Sequence, residues 1–236
     1  MRYIWVLFQT AIWTTLLGTL GILISLIEPT RGKSLGVFAR WWAKLILFFS
    51  GVRYSVQGLD KLDKNQSYVF AGNHASGFDI LLGYAGLPFW IVSIAKKELR
   101  SIPVLGWVMR AGGHVFIDRS RHDSAMNTLD KTKQSLKETP RSIMLFPEGT
   151  RTQDGSLRPF KRGGLLVGVE LKMPIVPVAY CGTFHLLGKD SWKMGSNPIV
   201  LKIGDPIPTD AHSVDSRRAL AIEVQQSVQT LLDDQA

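Results

Sequence analysis

Gln66-Ser67-Tyr68-Val69-Phe70-Ala71-Gly72 runs directly into Asn73-His74-Ala75-Ser76-Gly77-Phe78-Asp79. The first half reads as a strand, a short apolar run rich in aromatic and β-branched residues and closed by a glycine. The second half sets an imidazole and a carboxylate five residues apart. On a helix, residues i and i+5 lie about 140° apart and do not share a face. His74 is therefore expected in the loop at the helix start, with Asp79 inside the first turns, so that the two side chains converge. Strand, loop and helix in that order place the pair at a strand's C-terminal end, where α/β folds present reactive groups.

Such a pair suits proton transfer. Imidazole is the side chain whose unperturbed pKa leaves it near half-ionised at neutral pH, and a neighbouring Asp fixes its tautomer and stabilises the imidazolium. Spacing alone does not establish the role, because a His and an Asp five apart also arise by chance and do capping or surface work.

Outward from this stretch the α/β pattern continues. Apolar strand candidates fall at 54–57, 68–71, 89–95, 114–117, 142–146, 175–180 and 199–203, alternating with helix-like stretches at 124–138, 163–171 and 213–232. The expected architecture is a single mixed sheet flanked by helices. At 236 residues and without internal repeats, the chain fits one catalytic domain over 51–236 with an N-terminal appendage over 1–50.

That appendage carries its own signal. Residues 3–27 hold no formally charged side chain, aside from Glu28 just beyond, and as a helix would extend about 37 Å, enough to cross a bilayer. Arg31, Lys33, Arg40, Lys44 and Arg53 follow, a placement that keeps the next domain cytoplasmic by the positive-inside rule. A secretory signal peptide competes, with Met1-Arg2 as a minimal basic start, but the run is long for one and no small-x-small cleavage site precedes Glu28-Pro29. Residues 37–49 combine Trp41, Trp42, Phe48 and Phe49 with Arg40 and Lys44, as an in-plane interfacial helix does. An ordinary core helix, or a hairpin of 3–49 dipping into one leaflet, also fits. The formal charge of +9 and isoelectric point near 9.8 call for an anionic partner, for which a membrane surface is favoured over nucleic acid. The lone Cys181 excludes an intrachain disulfide.

Three further clusters sit where strand candidates end. Phe146-Pro147-Glu148-Gly149-Thr150-Arg151 joins a turn, a carboxylate and a guanidinium able to grip a phosphate in bidentate fashion. Phe116-Ile117-Asp118-Arg119 brings a second arginine, and the apolar Ile175-Val176-Pro177-Val178 reads as a wall against a ligand or the core. Each has an innocent account, Asp118 with Arg119 as a surface ion pair and Glu148 as a helix cap among them. The five histidines are scattered, and no H-E-x-x-H, cysteine cluster or G-x-G-x-x-G occurs, so no bound metal or nucleotide cofactor is expected.

Together these blocks resemble the 1-acylglycerol-3-phosphate acyltransferases (lysophosphatidic acid acyltransferases) of the glycerolipid acyltransferase superfamily. Asn73-His74…Asp79, Gly113…Arg119, Phe146…Arg151 and Ile175…Val178 appear in the family's order, within a match over residues 50–205 that also takes in Ala95-Lys96-Lys97-Glu98-Leu99 and Pro159-Phe160-Lys161. His114 departs from the small or apolar residue usual at its position. The resemblance implies the glycerolipid acyltransferase fold and transfer of an acyl group from acyl-ACP or acyl-CoA to the sn-2 hydroxyl of 1-acylglycerol 3-phosphate in phospholipid biosynthesis. His74 and Asp79 are then catalytic, and Glu148, Gly149, Thr150, Arg151, Arg119 and Lys96 bind substrate. Ser76 is expected to be a turn residue, since the nucleophile elbow G-x-S-x-G is missing. The implied setting is the cytoplasmic face of the inner membrane. Two alternatives stand beside it: a related acyltransferase acting on another lyso-lipid, such as a lyso-ornithine lipid, and a non-catalytic membrane-binding protein.

Overall fold

The computed structural model describes residues 1–30, 32–118, 132–210, 212–213 and 216–234. Two N-terminal helices, α1 (Arg2–Ser25) and α2 (Lys33–Phe49), precede β1 (Tyr54–Gln57), β2 (Val69–Gly72), α3 (Phe78–Gly86), β3 (Ile91–Lys96), α4 (Leu105–Ala111) and β4 (Val115–Ile117). Helical residues 132–138 form α5, followed by β5 (Ser142–Leu145), α6 (Arg162–Leu171), β6 (Ile175–Cys181), α7 (Thr183–Leu187), β7 (Ile199–Ile203) and α8 (Arg217–Asp233). All seven strand segments expected from the sequence form strands, with ends displaced by a residue or two. The helix expected from 213 starts at Arg217, because Ser213 and Ser216 first bond one another's backbone N–H groups. Residues 124–131 of the helix expected over 124–138 lie outside the described residues.

The strands make one seven-stranded sheet in the order β1-β7-β6-β2-β5-β3-β4. Pairing is parallel except between β6 and β7, which makes the sheet mixed. The central β2 is buried along its whole length, so it carries the continuous apolar run of a strand covered on both faces. Phe70 points into a core shared with α2, α3 and α7, whereas Val69 and Ala71 point into one shared with α5, α6 and α8. Ile175-Val176-Pro177-Val178 is likewise core, as Ile175, Val176 and Val178 divide between the two faces with no exposure.

This layering positions the site. The chain leaves the end of β2 toward α3 on one face and the end of adjacent β5 toward α6 on the other. Two neighbouring strands whose connections depart to opposite faces leave a crevice between their C-terminal ends, where open α/β sheets bind ligands.

α1 and α2 pack as an antiparallel pair. Gln9 Nε2 donates to Ser50 Oγ at 2.8 Å, Trp5 Nε1 to the Phe49 carbonyl at 2.8 Å and Trp42 Nε1 to Thr14 Oγ1 at 3.0 Å. One face of α2 is core, as Ala43, Ile46 and Leu47 are fully buried, and burying each of the two larger side chains contributes about 2 kcal/mol. Its other face exposes Val37, Trp41 and Phe48. α1 turns most of its apolar surface outward, including Leu7, Phe8, Leu16, Leu20 and Leu23. It is nonetheless tied along its length: Arg2 donates to the carbonyls of Gly195 at 2.7 Å and Ser50 at 3.0 Å, and Gly18 sits against Val108 of α4 and Val104 just before it.

Candidate active site

His74 and Asp79 converge as their spacing demands. β2 ends at Gly72, His74 lies in the connecting loop, and α3 starts at Phe78 with Asp79 in its first turn. Gly72 is needed for this geometry, since a Cβ there would lie 2.6 Å from the Val178 carbonyl oxygen and 2.8 Å from the Tyr180 ring. The imidazole Nδ1 lies 2.8 Å from Asp79 Oδ2. That same oxygen accepts the backbone N–H groups of Ala75 at 2.7 Å and Ser76 at 2.8 Å. Asp79 is fully buried and the His74 side chain is 15% exposed. An ionised carboxylate only accepts, so Nδ1 carries the proton and the lone pair resides on Nε2.

The loop is stapled to its surroundings. Ser76 Oγ donates to the Leu187 carbonyl at 2.7 Å and accepts the Phe78 N–H at 3.1 Å, which makes it a turn residue, as expected. Asn73 bridges to β6, accepting the Tyr180 N–H at 2.8 Å and donating to the Tyr180 carbonyl at 3.2 Å. Sequence reasoning did not assign Asn73 this task; its signal was its place directly after a strand, where an amide can satisfy a neighbouring backbone.

The 146–152 turn closes the other side of the crevice. Phe146, immediately beyond β5, stacks on the His74 ring with centroids 4.0 Å apart and planes at 16°. Glu148 Oε1 accepts the His74 backbone N–H at 2.6 Å, and Thr152 N–H donates to the His74 carbonyl at 2.8 Å. Glu148 Oε2 accepts the Arg158 N–H at 3.3 Å. Burial is the main reason that the Glu148 carboxyl is pushed up to about 7; the charge of Asp79 adds to this, while the two N–H donors and Arg158 oppose it. Gly149 holds a φ of +77°, open to glycine at little cost, and the Lys161 side chain lies across it.

Cations gather beside this turn. Glu148, Arg158, Phe160, Lys161 and Arg162 line an open cleft of about 520 Å³. In the same turn Thr150 is exposed and Arg151 half-buried, and the Arg151 guanidinium makes no hydrogen bond or ion pair with a described residue. Lys96 ends β3, two strand positions from β2, with its ammonium 3.3 Å from Glu98 Oε1. Asp118 pairs with Lys97 at 2.6 Å; Arg119 lies outside the described residues.

His114 stands apart from the crevice, just ahead of β4. Its Nδ1 accepts the Ser93 N–H at 3.0 Å beside the Tyr84 hydroxyl. Burial, with the Arg141 charge behind it, lowers its pKa to about 4. It is a neutral structural histidine.

Comparison with known proteins agrees with this architecture. A family model described as "Acyltransferase" matches residues 53–181. The chain is 30% identical over 219 residues to human 1-acyl-sn-glycerol-3-phosphate acyltransferase alpha, covering 93% of this chain and 77% of that one. It is 31% identical over 217 residues to the 1-acyl-sn-glycerol-3-phosphate acyltransferase of Haemophilus influenzae, covering 91% and 88%. The crystal structure of the 1-acyl-sn-glycerophosphate (LPA) acyltransferase PlsC from Thermotoga maritima superposes with a TM-score of 0.76 at 27% identity, over 100% of both chains. With the ordered motifs, the mixed sheet and the His74–Asp79 crevice all in place, this chain belongs to the 1-acyl-sn-glycerol-3-phosphate acyltransferase family.

Proposed function

We propose that the chain acylates the sn-2 hydroxyl of 1-acylglycerol 3-phosphate from a fatty acyl thioester, giving phosphatidic acid and a free thiol. The observation that carries this reading is the 2.8 Å contact of His74 Nδ1 with a fully buried Asp79, which leaves the Nε2 edge as a base at the mouth of the crevice. His74 Nε2 takes the hydroxyl proton as the oxygen attacks the thioester carbonyl. The tetrahedral intermediate collapses by expelling the thiolate, which receives the proton back from the imidazolium. Asp79 balances the charge on the ring throughout. No acyl-enzyme is needed.

Arg151 is the first candidate to hold the acceptor's phosphate, with Gly149 and Thr150 shaping the turn and Lys96 and Arg119 as further cations. The acyl donor is acyl-ACP or acyl-CoA, which present the same thioester on different carriers.

The acceptor and product are lipids, and the apolar outer face of α1 suits the same surface. Arg2 and Gly18 tie α1 against the domain, which favours a hairpin lying in one leaflet over a helix crossing the bilayer. The basic residues after α1 favour the cytoplasmic leaflet of the inner membrane, where anionic headgroups add about 1 kcal/mol per nearby cation.

The test is product formation from 1-acylglycerol 3-phosphate with each donor, for the wild type and His74→Ala. Phosphatidic acid from the wild type and near-total loss in the variant are expected. Undiminished transfer by His74→Ala, or no product with either donor, sinks the reading.

A further inference from the structure

We infer that Glu148 is a positioning residue for His74, fastening the backbone of the base and the entrance of the cationic cleft instead of touching the acceptor. The inference rests on the reading of His74 as the base. It departs from the substrate-binding role that the resemblance implies for this carboxylate.

Both carboxylate oxygens are engaged within the protein. Oε1 accepts the His74 N–H at 2.6 Å and Oε2 the Arg158 N–H at 3.3 Å, with the residue 3% exposed. Short contacts to a carboxylate are the strong class of hydrogen bond, and the 2.6 Å contact is among the shortest around the site. A phosphate dianion, by contrast, is repelled by a carboxylate, so phosphate recognition falls to the neighbouring cations.

The geometry shows what the contact accomplishes. A single turn holds His74 from three directions: Glu148 takes its N–H, Thr152 supplies a donor to its carbonyl at 2.8 Å, and Phe146 covers one face of the ring at 4.0 Å. Asp79 holds Nδ1 from the α3 side. The Nε2 edge is what remains for the acceptor hydroxyl. Because Glu148 also holds the backbone of Arg158, one side chain sets the base and the lip of the cleft relative to each other. The charged groups facing it are Asp79 from α3, Arg158 on its own loop, and Lys161 and Arg162 along the cleft.

Steady-state kinetics of Glu148→Ala and Glu148→Gln on the full chain test this, with folding checked by circular dichroism. Glu148→Ala frees the His74 N–H, and misplacing a base by about 1 Å lowers kcat by about 100-fold while leaving the acceptor KM within about 3-fold. Glu148→Gln keeps an amide oxygen for that N–H and stays within about 10-fold of the wild type.

An acceptor KM raised about 10-fold or more with kcat retained is the signature of lost binding and overturns the inference. So does a Glu148→Gln variant as impaired as Glu148→Ala. Should Glu148→Ala not fold, Glu148→Gln decides through its split between kcat and KM. Full activity in His74→Ala defeats the base reading instead, a result independent of the kcat and KM split at Glu148.

Discussion

Asp79 Oδ2 meets His74 Nδ1 at 2.8 Å while also accepting the N–H groups of Ala75 and Ser76, so one oxygen both orients the base and closes the turn that carries it. Asp79→Asn preserves the size and an acceptor oxygen but not the charge that balances an imidazolium. Its kcat is expected to fall by roughly a thousandfold or more, with the fold retained. Single-turnover transfer beside a circular dichroism spectrum checks both halves of that statement.

Arg151 has no partner among the described residues and the geometry of a phosphate fork. Arg151→Ala is expected to raise the acceptor KM by about 10–100-fold with a smaller effect on kcat, and Arg151→Lys to restore only part of the affinity. Comparing 1-acylglycerol 3-phosphate with 1-acylglycerol isolates the phosphate: the substitutions matter for the first acceptor and little for the second.

Gly72→Ala presses a methyl group into the Val178 carbonyl at 2.6 Å, where the obstacle is backbone of the adjacent strand. The expected cost is about 2–3 kcal/mol of stability, together with reduced kcat, since β2 leads straight into His74. Urea denaturation and an activity assay at low temperature report the two effects separately.

His114 makes stability depend on pH. Its folded pKa, about 4, lies below its ordinary value of 6.5, so the unfolded chain binds more protons between those limits. The stabilisation is complete above about 6.5 and is lost as pH falls through about 4. Glu148, raised to about 7, contributes with opposite sign, being stabilising below its ordinary value of 4.5 and losing that as pH rises toward 7. The contribution of His114 is therefore read as a difference. Between pH 7 and 5 the wild type is expected to lose about 2 kcal/mol more than His114→Asn, which keeps an acceptor for the Ser93 N–H. Urea midpoints at the two pH values provide the comparison.

The two faces of the hairpin respond differently to charge. Leu16 and Leu20 of α1 are 57% and 47% exposed, whereas Ala43 of α2 is fully buried. Leu16→Glu with Leu20→Glu is expected to leave the melting temperature nearly unchanged and weaken binding to anionic vesicles by about tenfold or more. Ala43→Glu unfolds the protein, because a carboxylate there has no partner. Vesicle sedimentation beside thermal melts distinguishes the cases.

The strands, the sheet class and the convergence of His74 with Asp79 were legible because each depends on neighbours in sequence: an apolar run ended by glycine, and a spacing that forbids a shared helical face. The work of Glu148 was not. Its partners are backbone groups of His74 and Arg158, and a main-chain N–H leaves no mark in the residue letters. The Phe146 ring over His74 and the Asn73 bridge to Tyr180 were hidden for the related reason that they depend on β2 having β5 and β6 as neighbours. Strand order is fixed by long-range packing. The 37–49 segment also read ambiguously, since one face of α2 is core and the other carries exposed Trp41 and Phe48.

The two hydrogen bonds of Arg2 have a bearing on substrate choice. They lock the start of α1 to Ser50 and to Gly195, whose own N–H is bonded to the Leu186 carbonyl, one residue before the carbonyl that receives Ser76. The outward apolar helix and the turn that holds the base thus share a single frame, so that with α1 docked on a membrane as proposed above, the height of the imidazole over the bilayer is a fixed dimension of the protein. An enzyme built in this way measures its substrate like a depth gauge. With that docking, a hydroxyl is acylated when its lipid floats at the right level, and the curvature and thickness of the host membrane are expected to affect rate alongside the chemistry of the headgroup.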